Sequence, residues 1–178
     1  RGALRCWCEI SLSVCRLFGS IMVHIEGEKI VLRSVDSSDI DTILLWENSS
    51  AEPLYGVYDE EYTREDVEQF VENQQRYSFA ETEQLRLMIC SHEGERLGCV
   101  DLTEYNGEKA FVSILIFDLG NRRKGFAENA LRLMIDYAKS LDLQTLYANI
   151  LPENLPSISL FKKLGFEAVD SMLYRKEL

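Results

Sequence analysis

The sequence predicts an α/β protein leaning toward the α+β class, built on one mixed sheet of six to seven strands with helices on both faces. Three observations predict it. Two turn sequences, His92-Glu93-Gly94-Glu95 and Asn106-Gly107, separate three runs of strand character, which gives consecutive antiparallel hairpins. Downstream, a strand-like run, a long helical pattern and a second strand-like run follow in order, which is the signature of a β-α-β unit. The length of 178 residues fits one domain with a sizeable core.

Taken in order, Lys29 to Val35 alternates and is rich in β-branched residues, so it is a strand. Asp36, Ser37 and Ser38 offer N-caps for a helix carrying Ile40, Ile43, Leu44 and Trp46 and ending near Asn48. Residues 49–62 hold Pro53 and Gly56 and read as a loop. Thr63-Arg-Glu-Asp66 resembles a capping box and opens a helix to about Tyr77, with Val67, Phe70 and Val71 on its apolar face. Strands follow over about 86–90 and 96–104. The next strand, Ala110 to Phe117, is apolar on both parities apart from Ser113, so it is expected to be buried on both faces. From Ala127 the apolar residues Ala130, Leu131, Met134, Ala138 and Leu141 recur at helical spacing. A strand at Thr145 to Ile150, a helix at Ser157 to Leu164 stopped by Gly165, and one or two strands over 166–176 complete the chain.

The first 21 residues read differently from the rest. They hold three of the five cysteines, and no clear small-residue cleavage site marks them as a secretory signal. The expectation is an appended leader or an upstream translated segment outside the fold, with residues 22–178 as the single domain. The formal net charge is −11. Residues 1–21 carry three arginines against one glutamate, so the remainder carries −13. That balance argues against nucleic acid and anionic membrane as partners and permits a cationic one. No apolar run approaches the ~20 residues of a membrane helix. Cys90 and Cys99 lack Cys-x-x-Cys spacing and read as buried free thiols in a reducing, cytoplasmic setting. His24 and His92 fit no ligand spacing, so no metal is expected.

The segment from Ala110 to Leu141 organises the rest. Between strand and helix stands Arg122-Arg123-Lys124-Gly125. Cations at a helix start favour an anion through the free N–H groups and the helix dipole, and the glycine lets the anion approach the backbone. A solvated basic turn is the competing reading. Gly120 and Gly125 satisfy the first half of a P-loop, but Phe126-Ala127 replace the lysine and hydroxyl that would hold nucleotide phosphates and Mg²⁺. The dinucleotide pattern G-x-G-x-x-G is absent as well.

What remains, Arg122-x-x-Gly125-x-Ala127, resembles the pyrophosphate-binding motif of the GNAT superfamily of acetyl-CoA-dependent N-acetyltransferases. Asn154-Leu-Pro-Ser157, Phe161 and Gly165-Phe166 are similar to a second block of that family. Ile30-Val-Leu-Arg33 with Asp39, Trp46-Glu-Asn48 and Gly98 to Glu104 resemble its spermidine and ribosomal-protein N-acetyltransferase subgroup. The resemblance covers roughly Lys29 to Leu178 and implies the GNAT-like acyl-CoA N-acyltransferase fold with acetyl-CoA as cosubstrate. It also implies that Ile116, Phe117 and Asp118 line the pantetheine and acetyl group where the central strand splays from its neighbour. Arg122, Arg123, Lys124, Gly125, Phe126 and Ala127 would hold the pyrophosphate. Asn154 and Phe161 would border the pantetheine arm, though Asn154 also suits a helix cap and Phe161 suits core packing. Homodimers are common in the family resembled.

The sequence departs from the family where protons move. Phe161 stands where a general-acid tyrosine is usual, and Val112 where a glutamate is often found. Asp101 and Glu104 are the base candidates, against a reading of both as ordinary polar strand positions. Nine acidic residues against Arg64 alone occupy residues 47–72. Tyr55, Asp59, Glu60 and Glu61 are candidates for the acceptor entrance, against a solvated acidic face. The expected activity is acetyl transfer to a primary amine, such as a polyamine or another small cationic amine. A protein N-terminal acetyltransferase and a non-catalytic acyl-CoA-binding module are the alternatives.

Overall fold

Among the described residues nine strands form a single sheet in order β1-β2-β3-β4-β5-β6-β7-β9-β8. The computed structural model describes residues 12–17, 20–49 and 61–178, with side chains described from Met22 onward. The strands are β1 (Leu12–Leu17), β2 (Ser20–Glu26), β3 (Val31–Ser34), β4 (Leu85–Cys90), β5 (Arg96–Thr103), β6 (Lys109–Ile116), β7 (Thr145–Asn149), β8 (Glu167–Ala168) and β9 (Leu173–Glu177). All neighbours pair antiparallel except β6 and β7, which are parallel. The mixed sheet expected from the hairpins and the β-α-β unit is therefore present. Its strand number exceeds the expected six to seven, because β1 and β2 extend the edge beyond β3. Val23 and Ile25 are buried while His24 and Glu26 are exposed, a period-2 pattern in β2 that the expected element order left out.

The helices divide between the two faces. The helix α1 (Ile40–Glu47), entered through a 3-10 turn at Ser37–Asp39, and α2 (Arg64–Arg76) cover one face. There Ile43, Trp46, Val67 and Val71 pack on Met88, Cys90 and Cys99. The other face carries α4 (Phe126–Ser140) and α5 (Leu155–Lys163). Leu131, Met134, Ala138 and Phe161 pack there on Leu87, Ile89, Val100, Leu102 and Leu146. Burial of each large aliphatic side chain contributes about 1.5–3 kcal/mol, so the two layers supply most of the driving force. A short turn, α3 (Phe79–Thr82), was not expected. Its signal is Ser78-x-x-Glu81, where the Ser78 N–H and hydroxyl both donate to Glu81. The capping box at Thr63 and Asp66 forms as expected.

The central strand differs from its neighbour. Leu97 to Leu102 of β5 are buried without interruption, but β6 is fully buried only at Ala110, Val112 and Ile116. Phe111 and Leu115 are half-buried and Ser113 is exposed. The expectation of burial on both faces thus holds for β5 rather than for β6. The reason is that α1 and α2 lie over β4 and β5, leaving the β6 residues of that face near the edge of the cover.

Candidate active site

The open edge of β6 is the first element of the site. Its parallel register with β7 ends after three pairs, the last being Phe111 with Tyr147. Beyond that point Ala148 and Asn149 pair with Tyr174 and Leu173 of β9. On the other side β6 stays paired with β5 as far as Gly98 and Ile116. The Phe117 N–H then donates to Leu97 O at 3.0 Å. Strand alternation therefore turns the N–H and C=O groups of Ile114 and Ile116 toward the gap that β7 has left. Gly98 allows this close β5–β6 packing, since a Cβ there would lie 1.8 Å from Leu115 O.

The loop after β6 follows from its own side chains. Asp118 Oδ1 accepts from the Gly120 N–H at 2.8 Å and caps a 3-10 turn at Leu119–Asn121. Arg122 Nε donates to Ile116 O at 3.2 Å, which ties the loop back to the open edge. Lys124 Nζ donates to Asn121 Oδ1 at 2.9 Å. Arg123 and Gly125 take left-handed backbone at φ 62° and 86°. In α4 the Asn129 N–H donates to Gly125 O, so the N–H groups of Phe126, Ala127 and Glu128 have no intrahelical acceptor. Arg123 and Lys124 are exposed, and Gly125, Phe126 and Ala127 are half-exposed. This arrangement fits a pyrophosphate, because amides without intrahelical acceptors and cations stand together. Glu128 stands in the first turn, and Lys163 and Arg132 both bind it. Those two hydrogen bonds hold its carboxyl below the usual range.

The second motif adopts structural roles. Asn154 caps α5, its Oδ1 accepting from the Ser157 N–H at 3.2 Å. Phe161 is buried and meets the Phe166 ring edge-on with centroids 5.0 Å apart. Val112, the other departure from the family pattern, is buried in the same core.

On the opposite face, Asp101 sits in a buried network. Arg86 Nε donates to its Oδ1 at 2.9 Å and Nη2 to its Oδ2 at 2.8 Å, while Nη1 reaches Glu47. Phe70 covers the guanidinium, with its centroid 5.3 Å away. Burial alone would lower the Arg86 pKa, but the charges of Asp101 and Glu47 hold it well above its ordinary value. Glu104 is exposed at the end of β5 with left-handed backbone, φ 54°. Its carboxylate makes no hydrogen bond or ion pair among the described residues. Asp101 pairs with Ser113 in the middle of β6, five residues before Asp118, so both base candidates lie beside β6 itself rather than beside the loop that follows it. Glu61 is exposed, whereas Tyr55, Asp59 and Glu60 lie outside the described residues. Trp46 stacks on Phe117 at 5.6 Å and closes the α1 side of the strand exit.

Three partners escaped sequence reasoning. Arg86 and Glu47 lie 39 residues apart, and nothing local links them. Lys29 contacts the loop from 95 residues away, its Nζ donating to Lys124 O at 3.2 Å.

A mixed sheet with one strand splayed beside an amide-and-cation loop offers an extended anionic ligand a free strand edge and a helix start together. A family model for the GNAT acetyltransferase domain matches residues 29–167. The chain belongs to this family and is an N-acetyltransferase; members use acetyl-CoA. It is 28% identical over 152 residues to the spermidine N(1)-acetyltransferase of Escherichia coli K12, covering 83% of this chain and 78% of that one. A spermidine N-acetyltransferase from Vibrio cholerae, solved with CoA and spermine, superposes with a TM-score of 0.68 at 18% identity, over 82% of this chain and 92% of that one. The ribosomal-protein-S5-alanine acetyltransferase from Vibrio fischeri gives 0.70 at 20% identity, over 87% and 96%. The family resemblance read from the sequence is borne out, and spermidine and ribosomal-protein acetyltransferases are among the proteins it is similar to. Cys90 and Cys99 are free and buried as expected. Among the described residues no helix is long and apolar enough to cross a membrane.

Proposed function

We propose that the chain transfers an acetyl group from acetyl-CoA to the primary amine of a small cationic acceptor, with a polyamine as the leading class. The observation that carries the cofactor half is the juxtaposition of the open β6 edge with the left-handed Gly125 at the start of α4. In this reading the amides of Gly125, Phe126 and Ala127 and the cations Arg122, Arg123 and Lys124 bind the pyrophosphate. The pantetheine arm lies along Ile114 and Ile116, bounded by Phe117, Asp118, Asn154 and Phe161. A strand-like hydrogen-bonding arm completes the broken sheet beside Ile114 and Ile116, where Arg122 Nε already reaches Ile116 O.

Acyl transfer then needs the amine nitrogen to reach the thioester carbon, the C–S bond to break, one proton to leave the nitrogen and one to reach the thiolate. Positioning supplies a large part of such a rate. Glu104 is the base with a free carboxylate, and Asp101 acts through its ion pair with Arg86. The acidic surface, with Glu61, Glu65, Glu68 and Glu72 exposed or flanking α2 and with Tyr55, Asp59 and Glu60 beside it in sequence, draws the cation in. A homodimer fits the family.

The sealed positions of Phe161 and Val112 favour a second reading, an acyl-CoA-binding module without turnover. Thiol release from acetyl-CoA, followed across polyamines, amino sugars and peptides with free N-termini, separates the two. Release with polyamines is expected. CoA binding with no acceptor-dependent release across the panel selects the binding module, and release with peptides alone selects an N-terminal acetyltransferase.

A further inference from the structure

We propose that Lys29, which lies outside the cofactor motif, is a positioning residue that aims the Gly125 amide at the pyrophosphate. The inference rests on the acetyl-CoA reading above. Lys29 belongs to the turn between β2 and β3, and this turn is docked on α4. Its backbone N–H donates to Asn129 Oδ1 at 2.9 Å. Gly27 of the same turn has no room for a side chain, because a Cβ would lie 2.7 Å from Leu133 and 2.8 Å from Asn129 Oδ1. The turn therefore keeps a fixed distance from the first two turns of α4.

From that anchor the Lys29 ammonium donates to Lys124 O at 3.2 Å. The Lys124–Gly125 peptide is trans, so its N–H points opposite to its C=O. Holding the carbonyl toward Lys29 turns the Gly125 N–H to the opposite side of the peptide, away from the ammonium. Glycine at φ 86° has little intrinsic preference between the two orientations of that peptide. The bond from Lys29 supplies the preference. Lysine and glycine also share the space, since a Cβ on Gly125 would lie 3.0 Å from Lys29 Nζ. The ammonium spends one of its three donors on the carbonyl and leaves its charge beside those of Arg122, Arg123 and Lys124.

The test uses the full chain with Lys29→Met and Lys29→Arg. Calorimetry measures CoA and dephospho-CoA, NMR titration measures pantetheine, and the Gly125 amide cross-peak reports the peptide. Lys29→Met is expected to raise Kd for CoA and dephospho-CoA by the same factor, about tenfold for one charge-assisted hydrogen bond. It is expected to shift the Gly125 cross-peak, to leave pantetheine binding unchanged and to keep Tm within about 2 °C. Lys29→Arg is expected to recover at least half of the loss. A loss confined to CoA would make Lys29 a 3′-phosphate contact and overturn the proposal. Equal losses for all three ligands with a lowered Tm would make it a structural residue, and unchanged Kd values would give it no role. Failure of the wild-type chain to bind CoA or dephospho-CoA would instead sink the acetyl-CoA reading itself, and the proposal with it.

Discussion

The loop after β6 and the sheet face beneath α1 and α2 hold charge in opposite ways. In the loop, Arg122, Arg123 and Lys124 are consecutive, and the amides of Phe126, Ala127 and Glu128 that follow have no intrahelical acceptor. Beneath the helices, Glu47, Arg86 and Asp101 come from three elements and satisfy one another. A companion cluster on the same face inverts the count: Arg33 and Arg96 both bind the buried Asp39. The loop is open to a ligand, while the two clusters are closed on themselves. Arg123 and Lys124 keep their charge at the exposed surface of the loop, whereas charge consumed in buried networks fixes the helices that flank it.

The sharpest way to break this comparison is to open a closed network. Arg86→Met leaves Asp101 without its bidentate partner and Glu47 without its own, and is expected to cost about 3–5 kcal/mol in urea unfolding. A loss below about 1 kcal/mol would put this network in the same category as surface pairs. Filling the open site comes next. Gly125→Val forces a β-branched residue into left-handed backbone and is expected to lower kcat/KM for acetyl-CoA about 100-fold, or about 2.7 kcal/mol. Gly94→Ala, at φ 88° with nothing within 4 Å of a Cβ, is the control for backbone strain alone. Similar kinetics for the two variants would remove the cradle from the account.

Acid sharpens the same contrast. Burial opposes the charge of Asp39, but hydrogen bonds from Arg33, Arg96 and the Asp36 N–H outweigh it and hold the carboxyl below its ordinary value. The stability it contributes is therefore complete above about pH 4, the unfolded value, and is lost as pH falls through the lower folded one. The stability gap between wild type and Asp39→Asn is expected to narrow by on the order of 1 kcal/mol between pH 6 and pH 3. A gap that is flat or widens over that range contradicts the assignment.

Smaller effects probe the rim. Arg122→Ala combined with Lys124→Ala is expected to weaken CoA about tenfold and dephospho-CoA about threefold, because part of the charge reaches the 3′-phosphate. Equal losses would confine these side chains to the pyrophosphate and the loop. The least effect is expected from Phe161→Tyr, with kcat within about threefold of wild type, since the ring is sealed against Phe166. A tenfold rise would show that the ring faces the thioester.

The sequence made the loop legible and the closed networks opaque, and the physical reason is range. A strand end, three cations, a glycine and an amphipathic helix are consecutive, so the strand-loop-helix could be read as one local pattern. The hairpins at Gly94 and Gly107 and the capping box at Thr63 were legible for the same reason. Asp101 was visible as a carboxylate on a strand, but its partner Arg86 arrives only when β4 and β5 pair, and Glu47 only when α1 packs above them. Lys29 was opaque in the same way, because its contact with Lys124 is made by the docking of the β2–β3 turn on α4. The burial of β6 was misjudged since composition alone does not say how far a covering helix extends along a strand.

The most direct test of the cofactor site is a calorimetric titration of the folded chain with CoA. One site per chain with Kd from about 1 to 100 μM, or about −8 to −5.5 kcal/mol, is expected from an amide-and-cation cradle joined to an open strand edge. No heat of binding with CoA at 1 mM, about −4 kcal/mol, would contradict it.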